Sequence, residues 1–210
     1  HTLPQEGIIE LMVRLAQSGR SLVRLKGGDP YIFGRGGEEA EALAAAGIAC
    51  DTVPGISAAQ GAAAATGIPL THRDHAAMLV FATGHLQGEE GERTVALDWA
   101  ALARPHQTVV IYMGVGTLPI ICAQLIAHGL PASTPAAMIE RATLPGQRSI
   151  VGTLQTLPQL SVAYGVNPPA LVMIGDTVAL HARIGSSAEV LTGFPPVADT
   201  ASPQALACTA

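Results

Sequence analysis

Two periods alternate along the chain. Residues 4–18 place Ile8, Leu11, Met12 and Leu15 at helical spacing, and Gly19 closes that helix. Ser21–Leu25 reads as a short strand, followed by the turn Lys26-Gly27-Gly28-Asp29-Pro30. An Ala- and Glu-rich helix over 37–46 ends at Gly47, and Ile48–Val53 reads as the next strand. Pro54-Gly55-Ile56-Ser57 is a second turn, leading into an alanine helix over 58–66 that Gly67 closes. Strand–helix alternation predicts a parallel sheet with helices on its faces.

Pro69-Leu70-Thr71-His72-Arg73-Asp74 interrupts the alternation and reads as an interdomain connection. This divides the chain into 1–74, 75–184 and a tail over 185–210. The second part predicts strands over 77–83, 108–113, 136–140, 149–153 and 170–174. Helices are expected over 98–103, 118–128 and 154–164, a polar loop over 88–93, and a short exit segment over 178–184. Beyond Gly185, Ser, Ala, Pro and Thr follow without periodicity, which predicts a mobile tail.

Composition narrows the function classes. Hydrophobic residues make up 49% and charged residues 13%, which allows a large buried core and excludes a disordered chain. Net charge is −5 with 11 basic residues and no basic stripe, so binding through a nucleic-acid backbone is not expected. Cys50, Cys122 and Cys208 lie far apart, giving neither a disulfide framework nor a metal site. With no apolar run long enough for a membrane span, a cytoplasmic protein is the expectation.

Three stretches could carry chemistry. In Leu25–Pro30, paired glycines after a strand let backbone approach a ligand, and Asp29 could accept from an amine or hydroxyl. A tight turn that binds nothing explains the same residues about equally well. Phe33-Gly34-Arg35-Gly36-Gly37-Glu38-Glu39 places an arginine between glycines before a helix; it reads as an anion clamp or as a solvated loop. Dipole stabilisation alone explains Glu38 and Glu39. Thr71–Asp74 lies at the domain connection, where clefts favour ligands, although an Arg73–Asp74 salt bridge is the plainer reading. Met113, at the end of a buried strand, reads as core. The histidines show no metal-ligand spacing.

Taken together, VRLKGGDPYIFGRGGEEAEAL, VPGISAA, GIPLTHRDHA, FATGHL, LDWAALA, TVVIYMGVGTLP and PPALVMIGDTVAL resemble the uroporphyrinogen-III C-methyltransferases in order and spacing. The resemblance runs from about Leu3 to Arg183. It implies a two-domain α/β tetrapyrrole methylase fold (class III S-adenosylmethionine methyltransferase), with the cofactor in the cleft between domains of a homodimer. It implies methyl transfer from S-adenosylmethionine to C2 and C7 of uroporphyrinogen III, giving precorrin-2 and S-adenosylhomocysteine. Carried over residue by residue, cofactor contacts fall on Gly27, Gly28, Asp29, Ile32, Ser57, Ala58, Met113 and Ala142. Ala142 stands where the family has glycine. Arg35, Glu38 and Arg73 match positions that face the substrate, whose eight carboxylates call for concentrated cations. Arg35 is a poor base, so stabilisation of developing charge is its expected catalytic role.

The family's opening strand with its glycine-proline turn, its Y-D-R-L segment and its G-K-R segment are not found in these residues. The resemblance therefore implies an incomplete N-terminal domain, and the acid/base positions assigned to those segments fall on nothing here. Two other readings are a methyltransferase acting on a later precorrin and a non-catalytic fragment. The THRD and GGDP-Y-I-F-G-R-G set argues against the first.

Overall fold

A computed structural model describes residues 3–86, 94–185 and 189–193. The expected loop over 88–93 and the tail beyond residue 193 lie outside these described residues. Three helices come first: α1 (Gln5–Gln17), α2 (Gly36–Ala45) and α3 (Ala58–Thr66). Then follow β1 (Met78–Thr83), α4 (Trp99–Leu102), β2 (Gln107–Tyr112), α5 (Leu118–Ala127), β3 (Pro135–Glu140) and β4 (Arg148–Thr153). The described chain closes with α6 (Leu157–Ala163), β5 (Ala170–Ile174), a 3-10 turn (Asp176–Leu180), α7 (His181–Ile184) and β6 (Glu189–Thr192).

The strands form one sheet in the order β1-β2-β5-β3-β4-β6. It is mixed, not parallel throughout. β1 pairs with β2 in parallel, with Val80 opposite Val109, whereas β5 enters antiparallel to both β2 and β3. β3 and β4 are antiparallel neighbours joined by the short 141–147 loop, which is too short for a helical crossover.

Each central strand buries both faces. On one face, Val109, Ile111, Met138, Val172 and Ile174 pack with α5 and α6 through Leu118, Ile121, Leu125, Leu157 and Leu160. On the other, Val110, Ala137, Ile139, Leu171 and Met173 pack with Ala59 and Ala62 of α3 and with Ile68 and Val178. Alternation along strands buried on both sides gives a continuous apolar run, which is how these segments read in sequence. The alanines of α3 suit this position because their short side chains let the helix lie close on the sheet.

Three expectations are corrected. Ser21–Leu25 and Ile48–Val53 are not strands, because neither joins a ladder with any described strand. Their apolar side chains stay in solvent: Val23 is 93% exposed, Leu25 84% and Val53 80%. The segment after Gly185 is not wholly a tail, since β6 pairs in parallel with the outer edge of β4, Val190 opposite Ser149. Backbone hydrogen bonding along an open edge does not need apolar periodicity, so composition gave no sign of it.

Candidate active site

The glycine turn after residue 26 and the turn before α3 interlock. Gly28 has a left-handed backbone (φ +81°), and a Cβ built on Gly55 would stand 2.5 Å from the Gly28 carbonyl oxygen. Glycine is thus required at Gly28 by conformation and at Gly55 by close approach. The Asp29 carboxylate joins the two turns, with Oδ1 accepting the Tyr31 N–H at 2.9 Å and Oδ2 the Gly55 N–H at 3.2 Å.

Ser57 begins α3, and its N–H donates to Gln60 Oε1 at 2.7 Å. A second cap comes from across the fold: the Tyr112 hydroxyl accepts the Ala59 N–H at 3.0 Å and donates to Ser57 Oγ at 3.2 Å. Tyr112 also meets the ring of Phe33, with centroids 4.7 Å apart. Met113 follows in a left-handed conformation (φ 54°) that turns the chain out of β2. It is 54% exposed, so it is not core.

These pieces surround a cavity of about 860 Å³. Gly27, Gly28, Ser57 and Ala58 form one wall; Tyr112, Met113 and Ala142 form another; Pro168 to Leu171 close it. The lining is mostly apolar, with Ser57, Tyr112, Arg141 and Thr143 as its polar residues. Its size suits a small amphiphilic ligand. Among the described residues, Arg141 is the only charged one on this lining.

Six of the eight expected cofactor residues thus face one cavity: Gly27, Gly28, Ser57, Ala58, Met113 and Ala142. Asp29 and Ile32 do not line it; Asp29 braces the turn from behind. Arg35 lies outside it at the start of α2, in a left-handed conformation (φ 57°), bound to Glu38 at 2.6 Å. Hydrogen bonding to Glu38 raises the Arg35 pKa, and hydrogen bonding to Arg35 holds the Glu38 carboxyl below the usual carboxylate range. Arg73 is exposed and makes no ion pair among the described residues; its neighbour Asp74 lies 4.0 Å from His72 instead. The Arg73–Asp74 salt bridge is therefore not formed.

Sequence reasoning missed Tyr112 and Arg141. Tyr112 was hidden inside an apolar strand, with only its hydroxyl to distinguish it from core. Arg141 stands on the loop after β3 (φ 51°), and nothing in its sequence surroundings marks a cavity wall.

The family model of the Tetrapyrrole (Corrin/Porphyrin) Methylases matches residues 1–158, and the chain belongs to that family. It is 55% identical over 184 residues to a siroheme synthase of Nitrosospira multiformis and 54% identical over 184 residues to that of Nitrosomonas europaea. These matches cover 88% of this chain but only 38% of the length of either relative. Among solved structures, a uroporphyrin-III-C-methyltransferase from Thermus thermophilus superposes with a TM-score of 0.72 at 39% identity, covering 87% of this chain and 76% of that one. A second structure of a Thermus thermophilus uroporphyrin-III C-methyl transferase, complexed with S-adenyl homocysteine, has a TM-score of 0.69 at 36% identity; the match covers 84% of this chain and 75% of that one. No described helix is long and apolar enough to cross a membrane.

Proposed function

We propose that this protein methylates uroporphyrinogen III at C2 and C7, using S-adenosylmethionine, to give precorrin-2. The observation that carries the reading is the convergence of Gly27-Gly28, the start of α3 and Met113 on one cavity in a tetrapyrrole methylase. The cavity fits the cofactor in kind. It offers apolar walls for flat, weakly polar groups, open backbone at Gly27 where no atom lies within 4 Å of an added Cβ, and hydroxyls at Ser57 and Tyr112. Gly27, Gly28, Ser57, Ala58, Met113 and the backbone of Ala142 would hold it, with Asp29 and Ile32 supporting the turn.

When bound, S-adenosylmethionine supplies an electrophilic methyl group on a sulfonium. The chain's own part is to orient, to exclude water and to manage charge. The apolar lining would limit the access of water to the bound cofactor. Arg35 and Arg73 stand free of buried ion pairs, so both can turn toward substrate carboxylates; Glu38 holds Arg35 until then. As a fixed cation, Arg35 stabilises negative charge that develops while the macrocycle loses a proton. We further propose a cytoplasmic homodimer whose product is directed to sirohaem; the name siroheme synthase carried by its relatives supports the last of these.

Incubation of the purified protein with uroporphyrinogen III and methyl-deuterated S-adenosylmethionine tests this. Mass analysis of the oxidised product is expected to find two labelled methyl groups. An unlabelled product here, with label entering an already methylated precorrin in a parallel incubation, would contradict the assignment.

A further inference from the structure

One buried carboxylate near the cavity has no part in the chemistry above. The Glu39 side chain, on α2, is 5% exposed and gathers three donors. Lys26 Nζ donates to Oε2 at 2.7 Å; Gln5 Nε2 and Arg24 Nε donate to Oε1 at 3.0 and 3.3 Å. Burial pushes this carboxyl's pKa up, but the bonds from Lys26 and Gln5 and the charges of Lys26 and Arg24 outweigh it, and the net shift is downward. Glu39 is therefore a charged anchor shared by α1, the extended run 24–26 and α2.

What this anchor holds matters because the run that leads into the glycine turn has no ladder to fix it. Residues 21–28 make no backbone hydrogen bond to any other described element. The glycine turn begins one residue after Lys26, whose side chain is 10% exposed. Beyond the turn, Asp29 carries its position to Gly55 and hence to the start of α3. We infer that Glu39 is the positioning residue of the methyl-donor turn: by gripping Lys26 it sets where Gly27 and Gly28 stand on the cavity wall.

This rests on the functional reading above, and the test separates the two. Affinity for S-adenosylhomocysteine is measured by calorimetry well below each variant's unfolding temperature, with steady-state kinetics alongside. Glu39→Gln keeps the shape and loses the charge. It should weaken binding about tenfold or more and raise KM for S-adenosylmethionine, with kcat and KM for the tetrapyrrole within about twofold of the parent. Lys26→Met should reproduce the loss, and the double variant should be no worse than the weaker single one, since both remove one contact. Lys26→Arg should recover most of the affinity.

A brace that served folding alone would lower the unfolding temperature and leave the affinity of folded molecules unchanged; that result overturns the assignment. Should Glu39→Gln not fold, Lys26→Met against Lys26→Arg decides it, and equal parental affinity in both overturns it. A folded parent that does not bind S-adenosylhomocysteine overturns the functional reading itself.

Discussion

The Tyr112 hydroxyl stands 3.2 Å from Ser57 Oγ, so the last residue of β2 closes the first turn of α3. The Ala59 N–H, donating to the same oxygen at 3.0 Å, would otherwise be one of the unmatched donors of a helix start. This contact joins two walls of the cavity and ties the sheet to the segment that carries the glycine turns.

Tyr112→Phe keeps the ring against Phe33 and removes only the hydroxyl. Stability should fall by about 1–2 kcal/mol, because two hydrogen bonds are lost and the Ala59 N–H is left without its acceptor. S-adenosylhomocysteine affinity should fall with it, because the start of α3 is then free to shift. Chemical denaturation and calorimetry on the same variant check both.

Arg35 and Arg73 are expected to grip carboxylates, and lysine keeps the charge while losing the planar fork. Arg35→Lys and Arg73→Lys should each reduce kcat/KM for the tetrapyrrole at least tenfold, about 1.4 kcal/mol. Cofactor affinity should stay at the parental level. Parental kinetics for Arg35→Lys would remove it from the substrate site.

The depressed pKa of Glu39 has a signed consequence for stability. A carboxyl held lower in the folded state than in the unfolded one stabilises the fold above its unfolded pKa. That contribution is lost as pH falls through the folded value. The groups facing it are Lys26 and Arg24, with the Arg35–Glu38 pair just before it at the start of α2. The gap in unfolding temperature between parent and Glu39→Gln should therefore be full at neutral pH and close below the ordinary carboxylate range. A gap that widens on acidification would contradict the charged anchor.

Val23, Leu25, Val53 and Ile56 expose large apolar surface on neighbouring extended runs. Unpaired apolar segments of this kind invite association. Val23→Thr with Leu25→Thr should lower light scattering of concentrated samples without lowering the unfolding temperature, since neither side chain is buried.

The second half of the chain was legible because its strands are buried on both faces, so Val109–Ile111 and Leu171–Ile174 read as unbroken apolar runs wherever they pair. The first half was not. Ser21–Leu25 has a strand's composition, but a strand is completed by its partner, and composition does not supply one. At the site, Gly27 and Gly28 were readable because paired glycines after an apolar run let backbone approach a ligand, whereas the demand on Gly55 comes only from its contact with the Gly28 carbonyl. Tyr112 was not, because its role depends on a helix start fifty-five residues earlier in the chain. The loop arginine Arg141 acquires its place only when the 141–147 connection folds over the cavity.

The most direct measurement is calorimetric titration of S-adenosylhomocysteine into the purified protein and into Gly28→Val. Valine at φ +81° is strained by about 1–2 kcal/mol, and its side chain would press on the Ile56 carbonyl and Ser57, since even a Cβ stands 3.5 Å from the first. Saturable one-site binding by the parent is expected, with a loss of at least about tenfold in the variant and the sheet's circular-dichroism signal unchanged. No binding by the folded parent, or equal binding by Gly28→Val, would contradict it.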